Sequence, residues 1–485
     1  MRVVILTEGY SFTGYGHIYR CMAIAQTFKD KNIDVSFIVN GDDSVRDLLS
    51  SYHLLLFNWL EDTDRLLENL NEDDLLFVDS YLAPIELYER VYERVKLSVY
   101  LDDFDRLLYP GGVIVNGTVG AELLPYSKKD GQTFLLGKDY IILREAFKGL
   151  AVEREISCDI NTVLVTFGGS DPLNLTQKVL KILVTSYPGW RKLVVLGPLF
   201  SDYECIESIS DDNTAIYKNI NAEGMRELMM ESDLAISAAG QTINELALTG
   251  LPSVIFKVAD NQTNNISGWR EIGFIDGFID ATEEWSEEDL TKAISKLQDC
   301  CVRRNISNKG MSQIDVKGTH RIMKASLLAY YNLSLNVRLA KNIDMLPLFN
   351  LANDPVVRKN SFSTKPIALD EHKRWFSGTL LNDKRRLFVI YDSENLVGQV
   401  RFDIDGDCAV ISISVTVAYR GFGLASMILE KSLGIFHDLD SYVSKVYAYV
   451  KNDNIASRNS FVHAGFEDCE NDEVNVLKFC YVYGK

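Results

Sequence analysis

At 485 residues, 47% of them hydrophobic and 24% charged, the chain has the composition of a soluble globular protein and the length for two or three domains. Its net charge of −18 argues against nonspecific nucleic-acid binding, which needs clustered cations to displace counterions. No stretch reaches the ~20 apolar residues of a membrane span, so no membrane association is expected. The eight cysteines include no CxxC pattern, and reduced thiols in a cytoplasmic protein without a metal site are expected.

Met1-Arg2-Val3-Val4-Ile5-Leu6 reads as a buried first strand rather than a signal peptide. Strands are then predicted at Val35–Val39, Leu54–Phe57, Leu75–Val78, Leu97–Leu101 and Gly112–Asn116, with helices at Ile18–Lys29, Val45–Ser51, Thr63–Leu70 and Ile85–Val95 between them. This alternation implies a parallel sheet with helices on both faces. The rhythm restarts after a polar stretch at Val152–Asp159, with strands at Thr162–Thr166, Arg191–Val195, Ala215–Tyr217, Leu234–Ile236 and Ser253–Phe256. The expected fold class is therefore α/β, two tandem Rossmann-like doubly wound sheets over residues 1–150 and 151–333. From Val337 hairpin-spaced strands appear at Leu387–Tyr391, Val397–Ile404 and Val410–Val417. A helix at Gly423–Phe436, a strand at Lys445–Val450 and a helix at Asn454–His463 complete an α+β domain over 334–485.

Two stretches carry chemistry. After the first strand, Gly14-Tyr15-Gly16-His17 and then Arg20-Cys21 open a helix. Paired glycines let backbone approach a diphosphate, the helix start favours the anion, and His17 offers a group that moves a proton near neutral pH. A histidine capping its own helix is the plainer alternative. In the second half, Gly168-Gly169-Ser170-Asp171-Pro172 and Ser237-Ala238-Ala239-Gly240-Gln241-Thr242 follow strands and open helices, with Glu245 one turn on. Small residues there suit a diphosphate, a carboxylate can accept ribose hydroxyls, and Asn261-Gln262 add amides. Ordinary turn chemistry is the alternative for each. Asp171 and Asp102-Asp103 are taken as structural rather than metal-binding.

These pieces, with Val78-Asp79-Ser80-Tyr81, resemble the nucleotide-sugar hydrolases of pseudaminic acid biosynthesis over residues 1 to about 330. That family releases UDP from UDP-2,4-diacetamido-2,4,6-trideoxy-β-L-altropyranose. The resemblance implies a glycosyltransferase-B-type fold and metal-independent, inverting attack by water. It implies His17 as acid/base, Tyr81 at the sugar, and Gly14, Gly16, Arg20, Gly169, Ser170, Gly240, Gln241, Thr242, Glu245, Asn261 and Gln262 around the UDP-sugar.

The second stretch, Arg420-Gly421-Phe422-Gly423-Leu424-Ala425, fits the [R/Q]-x-x-G-x-[G/A] loop of GCN5-related N-acetyltransferases, whose amide groups wrap a pyrophosphate. Asn454, Ser457, Phe461 and Gly465-Phe466 resemble that superfamily's second CoA-contacting segment. Acetyl-CoA as cosubstrate, held by Val415, Val417, Arg420, Gly421, Gly423, Leu424, Ala425, Asn454 and Ser457, is implied. Asn353-Asp354-Pro355, His372, Trp375 and Gly398 to Phe402 resemble the members that act on UDP-amino-sugars, which implies His372, Trp375 and Arg401 as amino-sugar contacts. For His372 packing beside Trp375 is the alternative. Phe461 stands where many members carry a proton-donating tyrosine, with Ser460, Tyr447 and Tyr449 as substitutes.

The resulting expectation is a bifunctional enzyme that 4-N-acetylates a UDP-4-amino-4,6-dideoxy-N-acetyl-β-L-altrosamine and then hydrolyses the product to UDP and free sugar. Its partners are small molecules, and no feature specifies an oligomeric state. A related nonulosonate precursor would use similar motifs. One rival is a glycosyltransferase fused to an acetyltransferase, disfavoured by the absence of an acceptor-binding insertion. The other is a non-catalytic sugar-nucleotide sensor, against which the retention of His17, Glu245 and the acyl-CoA loop stands.

Overall fold

The computed structural model describes every residue except 12–14, 149–152, 170, 199, 201, 471–474 and 485. Contacts divide the chain into two compact units, Met1–Ser326 and Leu327–Lys485. Among the described residues no helix is long and apolar enough to cross a membrane.

The first unit opens with strands β1 (Arg2–Gly9), β2 (Val35–Gly41), β3 (His53–Leu56), β4 (Asp74–Asp79), β5 (Leu97–Leu101), β6 (Gly112–Asn116) and β7 (Gln132–Leu136). Between them lie α1 (Gly16–Lys29), α2 (Val45–Leu48), α3 (Thr63–Glu68) and α4 (Ile85–Arg94). All neighbouring strands run parallel, in the order β3-β2-β1-β4-β5-β6-β7. Unbroken apolar runs make this possible, since a parallel strand is covered on both faces; every residue of β4 is buried. The strand order reverses between β1 and β4, which opens a crevice at their carboxyl ends.

The second sheet repeats the plan with β8 (Thr162–Thr166), β9 (Arg191–Leu196), β10 (Thr214–Lys218), β11 (Leu234–Ala238), β12 (Ser253–Lys257) and β13 (Phe278–Asp280). Its helices are α5 (Leu175–Ser186), α6 (Tyr203–Ile209), α7 (Ala222–Glu231), α8 (Thr242–Leu248), α9 (Thr263–Ile272), α10 (Glu287–Lys296) and α11 (Cys300–Met311). The order β10-β9-β8-β11-β12-β13 reverses between β8 and β11. Two arginines, Arg303 buried and Arg154 half-buried, strap the segment before β8 to this half. Arg154 donates to the carbonyls of Met229, Ser232 and Thr249 at the ends of α7 and α8. Arg303 donates to those of Ser157, Cys158, Leu297 and Gln298. Both satisfy carbonyls that a helix end or a turn would otherwise bury unpaired.

Helix α12 (Gly318–Ser334) contains the division between the units. The second unit continues with β14 (Leu335–Leu339), α13 (Met345–Ala352), α14 (Pro355–Asn360), α15 (Leu369–Leu380), β15 (Arg385–Asp392), β16 (Asn395–Asp405) and β17 (Cys408–Val415). Then come α16 (Leu424–Leu439), β18 (Lys445–Lys451), α17 (Ile455–His463), β19 (Glu467–Cys469) and β20 (Val476–Val482). The sheet order is β14-β15-β16-β17-β18-β20-β19, antiparallel except for the parallel pair β17/β18. Leu348, Leu351 and Phe376 pack on Leu387 and Val389 on one face. On the other, Phe436 of α16 stacks on Phe402 with ring centroids 4.0 Å apart.

The expected α/β and α+β classes are those observed. The strand expected to reach Val417 ends at Val415, and Val417 begins a short 3-10 turn, Val417–Tyr419. Strands β7, β13, β19 and β20 were absent from the sequence reading.

In the first unit, Gly268 of α9 lies so near Val119 that a Cβ would meet the Val119 carbonyl oxygen at 2.1 Å. Backbone cannot yield as a flexible side chain can, so Gly268→Ala is expected to cost roughly 1–3 kcal/mol. Denaturant unfolding monitored through the first unit checks this, and an unchanged midpoint would contradict the close approach.

Candidate functional sites

The strand reversal of the first sheet brings three distant residues together. Glu8 lies near the end of β1, Asp79 ends β4, and His17 occupies the first turn of α1. Asp79 is fully buried, and its carboxylate accepts from the His17 Nδ1 at 2.6 Å and from Arg20. Burial pushes the Asp79 pKa up, but the Arg20 and His17 charges outweigh it and hold the pKa well below the carboxylate range. An ionised carboxylate only accepts hydrogen bonds, so the His17 Nδ1 carries a hydrogen. The Nε2 is left free of that bond, 3.9 Å from the Glu8 carboxylate. Burial lowers the His17 pKa, yet the Asp79 charge and hydrogen bond more than offset it, and the net direction is upward.

Around this dyad the partners interlock. Arg20 also forks onto Asp103 at 2.8 and 2.9 Å, and the Tyr81 hydroxyl donates to the same carboxylate. The Tyr81 ring meets His17 edge-on, with centroids 4.6 Å apart. Burial first and Asp103 second raise the Tyr81 pKa, keeping it a neutral phenol. Glu8 is held by Ser80 and by the Tyr81 amide. Arg20 is thus committed to two carboxylates, and its role is to balance them. Asp79, Glu8 and Asp103 were not predicted as site residues.

Helix α1 begins at Tyr15 without a side-chain cap, so its first-turn amides suit an anion. A Cβ on Gly16 would enter open space. Gly14 and Ser170 lie outside the described residues. Gly168 has φ of +83° and a Cβ on Gly197 would strike Gly168 and Gly169 backbone, so packing alone accounts for a tight turn there. Asp171 accepts from the amides of Leu175 and Thr176 at 2.9 and 2.7 Å, a helix-start role.

At the second reversal, Gly240 and Gln241 precede α8, which likewise lacks a side-chain cap, with Thr242 as its first residue. A small recess of about 20 Å³ is lined by Arg20, Asp102, Asp103, Gly117, Ile142 and Gln241 among others, so the two halves of the first unit share it. Glu245 is buried and gripped by Arg144 through two hydrogen bonds of 2.6 Å. Gln262 is engaged by its own loop, accepting from the Val258 amide at 2.9 Å, while Asn261 is exposed.

In the second unit β17 and β18 are paired only from Cys408↔Lys445 to Ile411↔Ala448. Beyond that rung, Ser412–Val415 pair with β16 alone and Tyr449–Lys451 with β20 alone. The sheet therefore splits, and strand edges face the gap with unpaired backbone groups. Gly421 and Gly423 have φ of +85° and +82°, a left-handed conformation that L side chains rarely adopt. They turn the chain into α16, whose start has no side-chain cap. Arg420 donates to the Val415 carbonyl at 2.8 Å and to Asp354 at 2.7 Å, which fixes the loop and engages the guanidinium within the unit. Leu424 is buried, leaving Ala425 and the turn as the accessible surface. Asn454 caps α17 by accepting from the Ser457 amide at 3.1 Å.

His372 is buried among Phe349, Trp375 and Phe376, and burial lowers its pKa. Arg401 lies 6.0 Å from the Trp375 ring centre and donates to Asp403 at 2.9 Å. Phe461 is buried against Phe466 and Phe479. Among the described residues, Asp299, Cys300 and Cys301 bring potential metal-ligand atoms within 4.8 Å of one another; Asp299 there accepts from the Cys301 amide as a helix cap.

Fold and site define a unit of two Rossmann-like parallel sheets joined to a mixed α+β unit. Residues 334–467 match the acetyltransferase (GNAT) domain family. The chain is 28% identical over 270 residues to an uncharacterized protein of Methanocaldococcus jannaschii, covering 53% of this chain and 55% of that one. It is 24% identical over 332 residues to the spore coat polysaccharide biosynthesis protein SpsG of Bacillus subtilis, covering 66% and 96%. It is 26% identical over 302 residues to the pseudaminic acid cytidylyltransferase and UDP-2,4-diacetamido-2,4,6-trideoxy-beta-L-altropyranose hydrolase of Helicobacter pylori, covering 61% and 51%. The chain thus spans about half the length of the first and third of these relatives. The resemblances drawn from the sequence, to that hydrolase and to an acetyltransferase domain, are both shown.

The His17–Asp79 pair carries a definite pH signature. A raised histidine pKa contributes stability that is full below the unfolded value, ~6.5, and is lost as pH rises through the folded value; a lowered carboxylate pKa contributes above ~3.9 and is lost as pH falls through its folded value. The pair is therefore complete between those two limits. Asp79→Asn is expected to bring the His17 pKa below the ordinary histidine value, leaving burial as the main influence. An imidazole NMR titration checks this, and an unmoved pKa would contradict the assigned dyad.

Proposed function

We propose that the chain is a bifunctional enzyme acting twice on one sugar nucleotide. The second unit transfers acetyl from acetyl-CoA to the amine of UDP-4-amino-4,6-dideoxy-N-acetyl-β-L-altrosamine. The first unit then hydrolyses the diacetamido product to UDP and free sugar. The observation that carries the reading is the imidazole of His17, oriented by a buried, ionised Asp79 at the point where the first sheet's strand order reverses. The similarity to the Helicobacter pylori protein supports the choice of substrate, and the match at 334–467 supports the acetyl transfer.

In the first reaction, acetyl-CoA lies along the split between β17 and β18, its pyrophosphate on the amides of Gly421, Gly423, Leu424 and Ala425, with Asn454 and Ser457 flanking it. Val415 offers backbone to the thioester arm and Val417 borders the entrance. Trp375 and Arg401 meet the acceptor sugar, while His372 supports them from the core. In the second reaction, Gly240, Gln241, Thr242 and Glu245 hold the uridine diphosphate with Asn261 and Gln262 nearby, and Tyr81 borders the sugar. UDP is a good leaving group, so catalysis consists mainly of placing water and meeting the departing charge. The His17 Nε2 takes a proton from water or gives one to the departing phosphate, while Asp79 stabilises the imidazolium. No metal is required in this scheme.

Two substitutions separate the activities. His17→Ala is expected to lower UDP release about 10²–10⁴-fold while leaving acetylation intact; undiminished hydrolysis would contradict the role of His17. Gly423→Val, at φ of +82°, is expected to distort the turn into α16, weakening acetyl-CoA binding without affecting UDP release from the already acetylated diacetamido sugar nucleotide. Unchanged acetyl-CoA affinity by calorimetry would remove the loop from the site.

A further inference from the structure

Acetyl transfer from a thioester to an amine has a strict proton balance. The amine nitrogen forms a bond to the carbonyl carbon, the carbon–sulfur bond breaks with its electron pair on sulfur, the amine loses a proton and the sulfur gains one. A hydroxyl beside the sulfur speeds this step by giving its proton and recovering one from the amine. The second unit must place such a donor where its sheet splits.

The last rung joining β17 and β18 is Ile411↔Ala448. Side chains alternate along a strand, so the next residues on the two strands, Ser412 and Tyr449, flank the vertex of the split on one common face. Burial fixes which face it is. Val446, Ala448 and Val450 are buried, and Phe479, opposite Ala448 in register, stacks on Phe461. Tyr447 and Tyr449 are half-buried and belong to the other side, with Gln399, Arg401, Ser412 and Ser414. Phe461 is thus a core side chain behind the sheet and carries no proton to give.

Three other hydroxyls are less suitable. Ser460 donates to the Ala456 carbonyl of its own helix at 2.8 Å. Tyr447 lies within the paired ladder opposite Val410, before the split, and Lys478 covers its ring at 4.7 Å. Ser412 is a weak acid with a short reach and suits the carbonyl rather than the sulfur.

We infer that Tyr449 is the catalytic proton donor of the acetyl transfer, with its hydroxyl at the vertex where β17 and β18 part. The phenol protonates the departing thiolate, and the amine's proton, relayed through water, restores it. This rests on the acetyltransferase reading of residues 334–467.

The test uses the full chain, acetyl-CoA and the UDP-4-amino sugar, with free thiol followed in time. Tyr449→Phe keeps the ring and is expected to lower kcat about 100-fold, with KM for acetyl-CoA within about twofold. The alkaline limb of the wild-type pH profile is expected to disappear, and Tyr447→Phe to retain kcat within about threefold. A Tyr449→Phe enzyme with wild-type kcat and pH profile overturns the inference while the acetyltransferase reading stands. A wild-type protein that releases no thiol and does not bind acetyl-CoA overturns both.

Discussion

The buried charge of Asp79 is the constraint on which the first unit's site is built. A carboxylate without solvent must be neutralised by cations and filled hydrogen bonds, or it takes up a proton. Here Arg20 and His17 supply both, and each is thereby held in place. Arg20 is drawn between Asp79 and Asp103, and Asp103 in turn holds the Tyr81 hydroxyl. The imidazole is left with Nδ1 committed to Asp79 and Nε2 3.9 Å from the Glu8 carboxylate. Removing any member leaves a neighbour with an uncompensated charge, so the network acts as a unit.

The second unit solves a different problem with similar means. Its sheet is continuous on either side of a split, and the split exists because β17 and β18 stop pairing after four rungs. Unpaired strand edges are normally a liability; on the proposed reading, beside a glycine turn and an uncapped helix start, they receive the extended, phosphate-bearing acetyl-CoA. Helices α1, α8 and α16 begin without a side-chain cap, whereas α17 is capped by Asn454 and α10 by a full capping box. On the proposed reading, joining two consecutive steps in one chain raises the local concentration of the intermediate near the next site.

Much of this was legible in the sequence, and what was not has identifiable causes. Long apolar runs such as Val3–Leu6 and Leu75–Val78 announce parallel strands, because burial on both faces leaves no room for polar residues. Strand β7 (Gln132–Leu136) is half-exposed and β13 has three residues, so neither leaves a strong pattern. The glycine turn and His17 were visible because they are contiguous. Asp79, 62 residues from His17, and Arg144, 101 residues from Glu245, become partners only through topology, and no local spacing reveals them. Asp79 was nonetheless within a stretch singled out by resemblance. Spacing left His372 open between substrate contact and packing; its burial among three aromatic rings shows the packing. That Phe461 and Tyr449 lie on opposite faces of the sheet could be assigned only from register and burial.

The central claim is that two chemistries on one chain act on one sugar nucleotide. The most direct measurement is mass spectrometry of the UDP-4-amino sugar incubated with the full chain, with and without acetyl-CoA. The account predicts gain of one acetyl group, followed by free UDP and the diacetamido sugar, and little UDP release when acetyl-CoA is withheld. Rapid UDP release without acetyl-CoA, or acetylation with no subsequent hydrolysis, would contradict it.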